Sequence, residues 1–296
     1  MPVILKNKHL KVTIGYPMEL YRGSRFDHSG NILQVTLNNK HTFCTSEKSE
    51  ILPDYGFGLM NEFDIDSPQG YAETTVGSYF YKIGVGNLRR ETDEPYQFFR
   101  QYPMNQYSFS ILKETPEEIV FQTKHLALQN SGILYQKSIS IHRNELLLSY
   151  RLMNKSNSVL KTNEYCHNFV AFNHSKINSQ YSLKFNFNLN NRQFEEANNI
   201  EFHLSLIGDQ INWTKIPDND IFIRRLNGND QSGKWWELHN KLQGLTMKEE
   251  VSFEAELVNL WGNAHVVSPE LFCVLEIEPE EEKTWWRKFT FSERSS

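Results

Sequence analysis

The chain is predicted to be all-β, an antiparallel sandwich with few short helices. Three observations carry this prediction. Six Trp, 13 Tyr and 20 Phe make up 13% of 296 residues, and aromatic side chains favour the half-buried surface of a strand. Apolar residues recur with period two along much of the chain, the signature of strands with one buried face. Helical periodicity is scarce.

The elements follow in order. Ile139 and Ile141, then Leu146, Leu148, Tyr150 and Leu152, read as two strands joined across His142–Glu145, with Arg143-Asn144 as the turn. Tyr181, Leu183, Phe185, Phe187 and Leu189 alternate with polar residues, and Phe202, Leu204 and Leu206 repeat the pattern. Between 232 and 250, Gly233 and Gly244 interrupt an apolar pattern, so a short helix or a turn is expected. Phe253, Ala255 and Leu257 alternate again. The run Leu271–Ile277 is nearly continuous apolar and suits a strand buried on both faces. Arg287, Phe289 and Phe291 close the series. Stretches 53–78, 93–107 and 212–234 read as loops. No linker, repeat or low-complexity segment divides the chain, so residues 1–296 are expected to form one domain; two smaller β domains are the alternative.

Composition excludes several partners. Lys plus Arg is 31 and Asp plus Glu is 36, giving a net charge of −5. Nucleic-acid grooves and polybasic membrane patches need clustered positive charge, so neither partner is expected. No stretch approaches the roughly 20 apolar residues of a membrane span, and the apolar run at the N-terminus is too short for a signal peptide. Three widely spaced cysteines, Cys44, Cys166 and Cys273, suit free thiols in a cytoplasmic protein. No cluster has metal-ligand spacing, and no cofactor is expected.

Four segments could carry chemistry. Tyr21–Gly30 holds two arginines, an aspartate, a histidine and two glycines; an exposed hairpin with solvated charges is the plain reading. Phe80–Arg90 places Gly84 and Gly86 among Lys82, Arg89 and Arg90, but lacks the strand–helix context of a dinucleotide site. Thr162–Phe169 places His167 and Asn168 between aromatics. Histidine is the side chain best suited to move a proton near neutral pH, although a lone histidine is more often structural. In Leu260–Phe272, Glu270 opens an apolar strand. A carboxylate there is either solvated at a rim or held with a raised pKa for a purpose.

Read together, these segments resemble the aldose 1-epimerase (galactose mutarotase-like) superfamily, most closely its bacterial epimerase-like branch. The resemblance is carried by Arg25-Phe26-Asp27, by Lys82–Leu88, by Glu164–Phe169 and by Ser268–Phe272. It implies a galactose mutarotase-like β-supersandwich and, as the activity, interconversion of sugar anomers by ring opening. It implies Glu270 as the base that deprotonates the anomeric hydroxyl and His167 as the acid that protonates the ring oxygen. With unperturbed pKa values of about 4.3 and 6.5 the two would coexist as carboxylate and imidazolium. The second histidine of typical galactose mutarotases is absent from Gly84–Leu88. Arg25, Lys82 and Arg89 are instead the expected contacts to the sugar or to a phosphate or carboxylate on it, with Asn168 and Asp230 as further candidates. The expected partner is thus a sugar or sugar derivative. A non-catalytic carbohydrate-binding protein on the same fold, and an epimerase acting at another sugar carbon, are the competing functions. Glycoside hydrolysis needs a carboxylate pair, and only Glu270 has a motif context.

Overall fold

The structure, a computed structural model, describes residues 2–48, 50–128, 131–189, 194–230 and 232–294. One ten-stranded sheet runs β1 (Val3–Lys6), β2 (Leu10–Gly15), β3 (Asn31–Leu37), β5 (Leu59–Phe63), β13 (Leu160–Asn168), β22 (Val267–Ile277), β21 (Leu257–Gly262), β18 (Ile221–Arg224) and β15 (Glu196–Asn198), with β4 (His41–Thr42) beside β3. The other runs β16 (Leu204–Ile207), β17 (Gln210–Trp213), β14 (Tyr181–Phe185), β19 (Gly233–Asn240), β20 (Leu245–Ala255), β23 (Glu282–Glu293), β12 (Glu145–Asn154), β11 (Ser131–His142), β10 (Glu118–Leu128) and β9 (Ser108–Thr115). A small sheet of β6 (Tyr79–Lys82), β7 (Gly86–Arg89) and β8 (Met104–Gln106) stands apart. All strand pairings recorded among the described residues are antiparallel.

The period-two pattern explains the core. In β12 the residues Leu146, Leu148, Tyr150 and Leu152 are buried and their neighbours are partly exposed. They join one apolar cluster that extends from Val3 to Phe291 and takes side chains from both large sheets. Each such side chain stabilises the fold by about 1.5–3 kcal/mol relative to exposure. A second cluster of aromatics, including Tyr71, Phe80, Tyr96 and Tyr102, supports the small sheet.

The expected hairpin at 142–145 is present: His142 pairs with Glu145, and Arg143 rather than Asn144 takes the positive φ of 51°. Other local expectations are corrected. Of the helix or turn expected in 232–250, the turn is present and the helix is not: β19 and β20 are a hairpin about Gly244, whose φ is +64°. Trp236, Leu238 and Met247 alternate with more exposed residues there, so the strand period was present but masked by Trp235. The stretch 53–78 contains β5, a central strand, and 212–234 contains β18. Phe202 is exposed with φ +65°, outside β16. Strand β22 is buried on both faces only from Val267 to Cys273; Val274 and Glu276 then face solvent.

Candidate functional site

The sheet containing β5, β13, β22 and β21 has two faces, and period two divides the polar residues between them. On β13, Glu164 and Asn168 point inward, where Glu164 meets Arg287 and Asn168 meets Glu249. Tyr165 and His167 point to the opposite face, as do Glu62 of β5, Glu270 of β22, and Asn259 and Trp261 of β21. All of these but Glu62, which lies behind and accepts from the Tyr165 hydroxyl, line a cleft of about 460 Å³. Phe98, Phe99 and Asp66 from the intervening loops, and Phe222 and Arg224 of β18, complete much of its wall.

His167 and Glu270 meet at the floor of this cleft. His167 Nε2 lies 3.3 Å from Glu270 Oε1, and the two residues are 5% and 3% exposed. The imidazole stacks on Phe169 at 4.1 Å between centroids, and Phe26 and Trp261 meet its edges. Its Nδ1 has no hydrogen-bond partner. Burial pushes the Glu270 carboxyl up to about 8, against the opposing pull of the Arg25 charge and the Ser268 hydroxyl. Burial, and then Arg25, hold the His167 imidazole well below its usual value. Both groups are driven toward their neutral forms. Burial thus works against the expected carboxylate–imidazolium state and favours a pair that shares one proton.

Arg25 lines the cleft but is not free. Its Nε donates to Glu62 Oε2 at 2.8 Å and its Nη2 to the Tyr165 hydroxyl at 3.0 Å. The guanidinium lies 4.5 Å from the ring centroids of both Phe26 and Phe98. Burial alone would raise the Glu62 carboxyl, but Arg25 and Lys82 outweigh it and hold it below the usual range. Lys82 is fully buried behind this carboxylate, donating to Glu62 Oε1 at 3.1 Å and to the Tyr96 hydroxyl at 2.8 Å. It does not line the cleft.

Three further sequence candidates lie elsewhere. Arg89 is exposed on β7, in the small sheet. Asn168 is fully buried facing the interior, where its Nδ2 donates to the carbonyl of Pro269 at 2.6 Å. Asp230 caps a turn by accepting the Ser232 N–H at 2.8 Å and borders a different surface hollow, beside Trp235. Gly84 answers a packing demand. Its φ is +74°, and a Cβ there would stand 2.4 Å from Asp27 Oδ1.

The charge of the cleft also departs from expectation. Of its two lining cations, Arg25 is held by Glu62, and Arg224 by Glu195 at 3.1 Å and Asp66 at 3.8 Å. The carboxyl groups of Glu47, Asp66, Glu196, Asp220 and Glu270 line the same space. No lining cation among the described residues is free to neutralise a phosphate or carboxylate. Of the basic residues that lie together in sequence, Lys82 is answered by Glu62, and Arg90 by backbone carbonyls of Tyr71, Thr74 and Thr92.

Sequence reasoning missed Glu62, Tyr165, Asn259, Trp261 and Phe98. Two signals could have found some of them. Tyr165 lies two residues before His167 on one strand and so shares its face. Glu62 is a carboxylate inside Leu59–Phe63, the same anomaly that singled out Glu270. Among the described residues no group of three His, Cys, Asp or Glu side chains could hold a metal ion, and none of the helices is long and apolar enough to cross a membrane.

No protein-family model and no curated protein sequence matches the chain. Solved structures do. A galactose mutarotase related enzyme from Lactobacillus acidophilus is 16% identical with a TM-score of 0.60, over 100% of this chain and 99% of that one. A galactose mutarotase-like protein from Lactobacillus casei is 9% identical with a TM-score of 0.62, over 99% and 100%. The aldose epimerase homologue from C. elegans is 10% identical with a TM-score of 0.54, over 100% and 99%. The chain has the galactose mutarotase-like fold, as its motifs led one to expect.

Proposed function

We propose that this protein interconverts the anomers of an aldose that carries no anionic group, using Glu270 and His167 as a proton-exchanging pair. The observation that carries the reading is the 3.3 Å approach of these two side chains at the floor of an aromatic-walled cleft. Mutarotation needs one proton delivered to the ring oxygen and one removed from the anomeric hydroxyl, and both oxygens are bonded to the same carbon. A carboxyl group and an imidazole that share one proton can do both.

Because burial favours protonated Glu270 and neutral His167, we assign the two roles in the reverse of the order the resemblance implies. Glu270 gives its proton to the ring oxygen as His167 Nε2 takes the hydroxyl proton. The bond from the anomeric carbon to the ring oxygen breaks, and an aldehyde forms. Rotation about the adjacent carbon–carbon bond presents the other aldehyde face. Ring closure runs both transfers backwards and restores the pair. Trp261 and Phe98 offer aromatic faces to the sugar ring, and Asn259 a polar contact. The fold's likeness to mutarotase-like proteins agrees with this reading. Residues 1–296 then act as one domain in the cytoplasm.

The test is magnetisation exchange between anomers across a panel of free, amino, acidic and phosphorylated sugars. Exchange of an uncharged sugar, lost in Glu270→Gln and His167→Asn, is the expected result. Exchange that persists in both variants rejects the assignment. Tight sugar binding without exchange would make the protein a carbohydrate-binding module.

A further inference from the structure

Strands β13 and β22 are neighbours in their sheet, yet their ladder is interrupted at the cleft. Regular pairing runs from Leu160↔Ile277 to Glu164↔Cys273. The strands meet again at Val170↔Val267, an isolated bridge closed by backbone hydrogen bonds of 3.0 and 3.2 Å. Both contacts keep one register, so His167 and Glu270 are cross-strand partners within the unpaired interval. Pro269 lies in that interval and has no N–H to donate.

Two buried polar side chains fill the gap. The Asn168 side-chain amide donates to the Pro269 carbonyl at 2.6 Å. The Asn168 backbone N–H donates to Ser268 Oγ at 2.9 Å, and that hydroxyl donates its own proton to Glu270 Oε1 at 3.1 Å. Asn168 and Ser268 are both fully buried. One hydroxyl thus accepts the Asn168 N–H in the interval where the ladder lapses opposite Pro269 and also donates to the carboxyl group. A strand that drifted away would carry Glu270 with it.

We propose that Ser268 is a positioning residue for anomer exchange, anchored by Asn168: together they set the strand separation opposite Pro269 and hold Glu270 Oε1 within reach of His167. The inference rests on reading Glu270 and His167 as the reacting pair. The groups that face Glu270 are His167 and Tyr165 from β13, Asn259 from β21, Arg25 from the segment before β3, and Glu62 behind Arg25 on β5. Farther out stand the carboxylates Glu47, Asp66, Glu196 and Asp220, and Arg224. Among the described residues Arg25 is the one cation near the carboxyl, so losing the Ser268 hydroxyl removes a main support of its charged form.

The experiment compares wild type with Ser268→Ala, Ser268→Thr and Ser268→Cys. The Glu270 carboxyl is titrated by carbon-13 NMR on glutamate-labelled protein and assigned with Glu270→Gln, which needs no turnover. Ser268→Ala should raise its midpoint by about one pH unit, and Ser268→Thr should restore it. Ser268→Cys keeps the volume but donates weakly, so it gives an intermediate shift and covers an alanine variant that does not fold. With the sugar that wild type exchanges fastest, kcat should fall about tenfold in Ser268→Ala at unchanged KM, with the alkaline limb of the pH profile displaced upward. A carboxyl midpoint unmoved in Ser268→Ala overturns the proposal, as does a threonine variant no better than alanine. A wild type that exchanges no sugar overturns the functional reading instead, and the carboxyl titration tells the two failures apart.

Discussion

The two faces of strand β13 bear charged groups in opposite conditions. Inward, Glu164 accepts from Arg287 at 2.7 and 3.2 Å, from Trp285 at 3.0 Å and from Asn61. Arg287 also binds Glu249 at 2.9 Å and the Leu271 carbonyl at 2.9 Å. All three ionic side chains are fully buried, and each is surrounded by partners. Outward, His167 and Glu270 are almost as buried, yet have fewer partners: they meet at 3.3 Å, Glu270 accepts from Ser268 at 3.1 Å, and among the described residues Nδ1 of the imidazole is unpaired. Equal burial gives different chemistry. The dense hydrogen bonding ties the inner groups into the architecture, even though burial outweighs Arg287 and raises the Glu249 carboxyl. Sparse bonding leaves the outer pair near neutral and able to pass a proton.

The sharpest way to separate the faces is Glu270→Gln. Anomer exchange should fall by about 10²–10⁴-fold, while the urea midpoint at pH 7.5 does not drop, since glutamine keeps the shape and needs no proton. A large loss of stability would place Glu270 with the structural charges. The converse change is Arg287→Met. It strands Glu164 and Glu249 without their cation and should cost about 3–5 kcal/mol in urea unfolding. A cost below 1 kcal/mol would show that the inner cluster is not the lock described here.

A third comparison uses pH. The folded Glu270 carboxyl titrates at about 8, above its ordinary value of 4.5, so the folded state binds this proton more tightly than the unfolded state. Its contribution is fully present below pH 4.5, declines as pH rises and is gone above pH 8. Wild type should therefore lose stability relative to Glu270→Gln between pH 4.5 and 8, by up to about 3–5 kcal/mol. A difference independent of pH would contradict the raised carboxyl. The smallest effect concerns charge on the substrate. A free aldose should exchange roughly tenfold faster than its 6-phosphate at low salt, and Asp66→Asn should narrow the gap. Faster exchange of the phosphate would restore the expectation of an anionic sugar.

How much was legible beforehand differs between residues. The hairpin at 142–145 and the sheet character followed from local alternation, which each strand declares by itself. His167 and Glu270 stood out because a titratable group in an apolar run is anomalous wherever the run lies in the fold. Lys82, Arg89, Asn168 and Asp230 were misplaced for one reason: adjacency in sequence does not reveal which face a residue occupies or which strand lies beside it. Lys82 is three residues from Val85 on the chain, but its partner Glu62 belongs to another sheet.

The sequence by itself determined that the chain is β, rich in aromatic core and devoid of clustered positive charge, because periodicity and composition act residue by residue. It also contained the proline that breaks a ladder and the serine and asparagine beside it. Only the tertiary structure decided that β13 and β22 are neighbours in one register, so that 103 residues of separation shrink to 3.3 Å between His167 and Glu270. It decided likewise that the basic residues are answered by Glu62 and Glu195 rather than kept for a ligand. Charge compensation and proton sharing depend on distances of a few ångströms, and those are set by which strands pair.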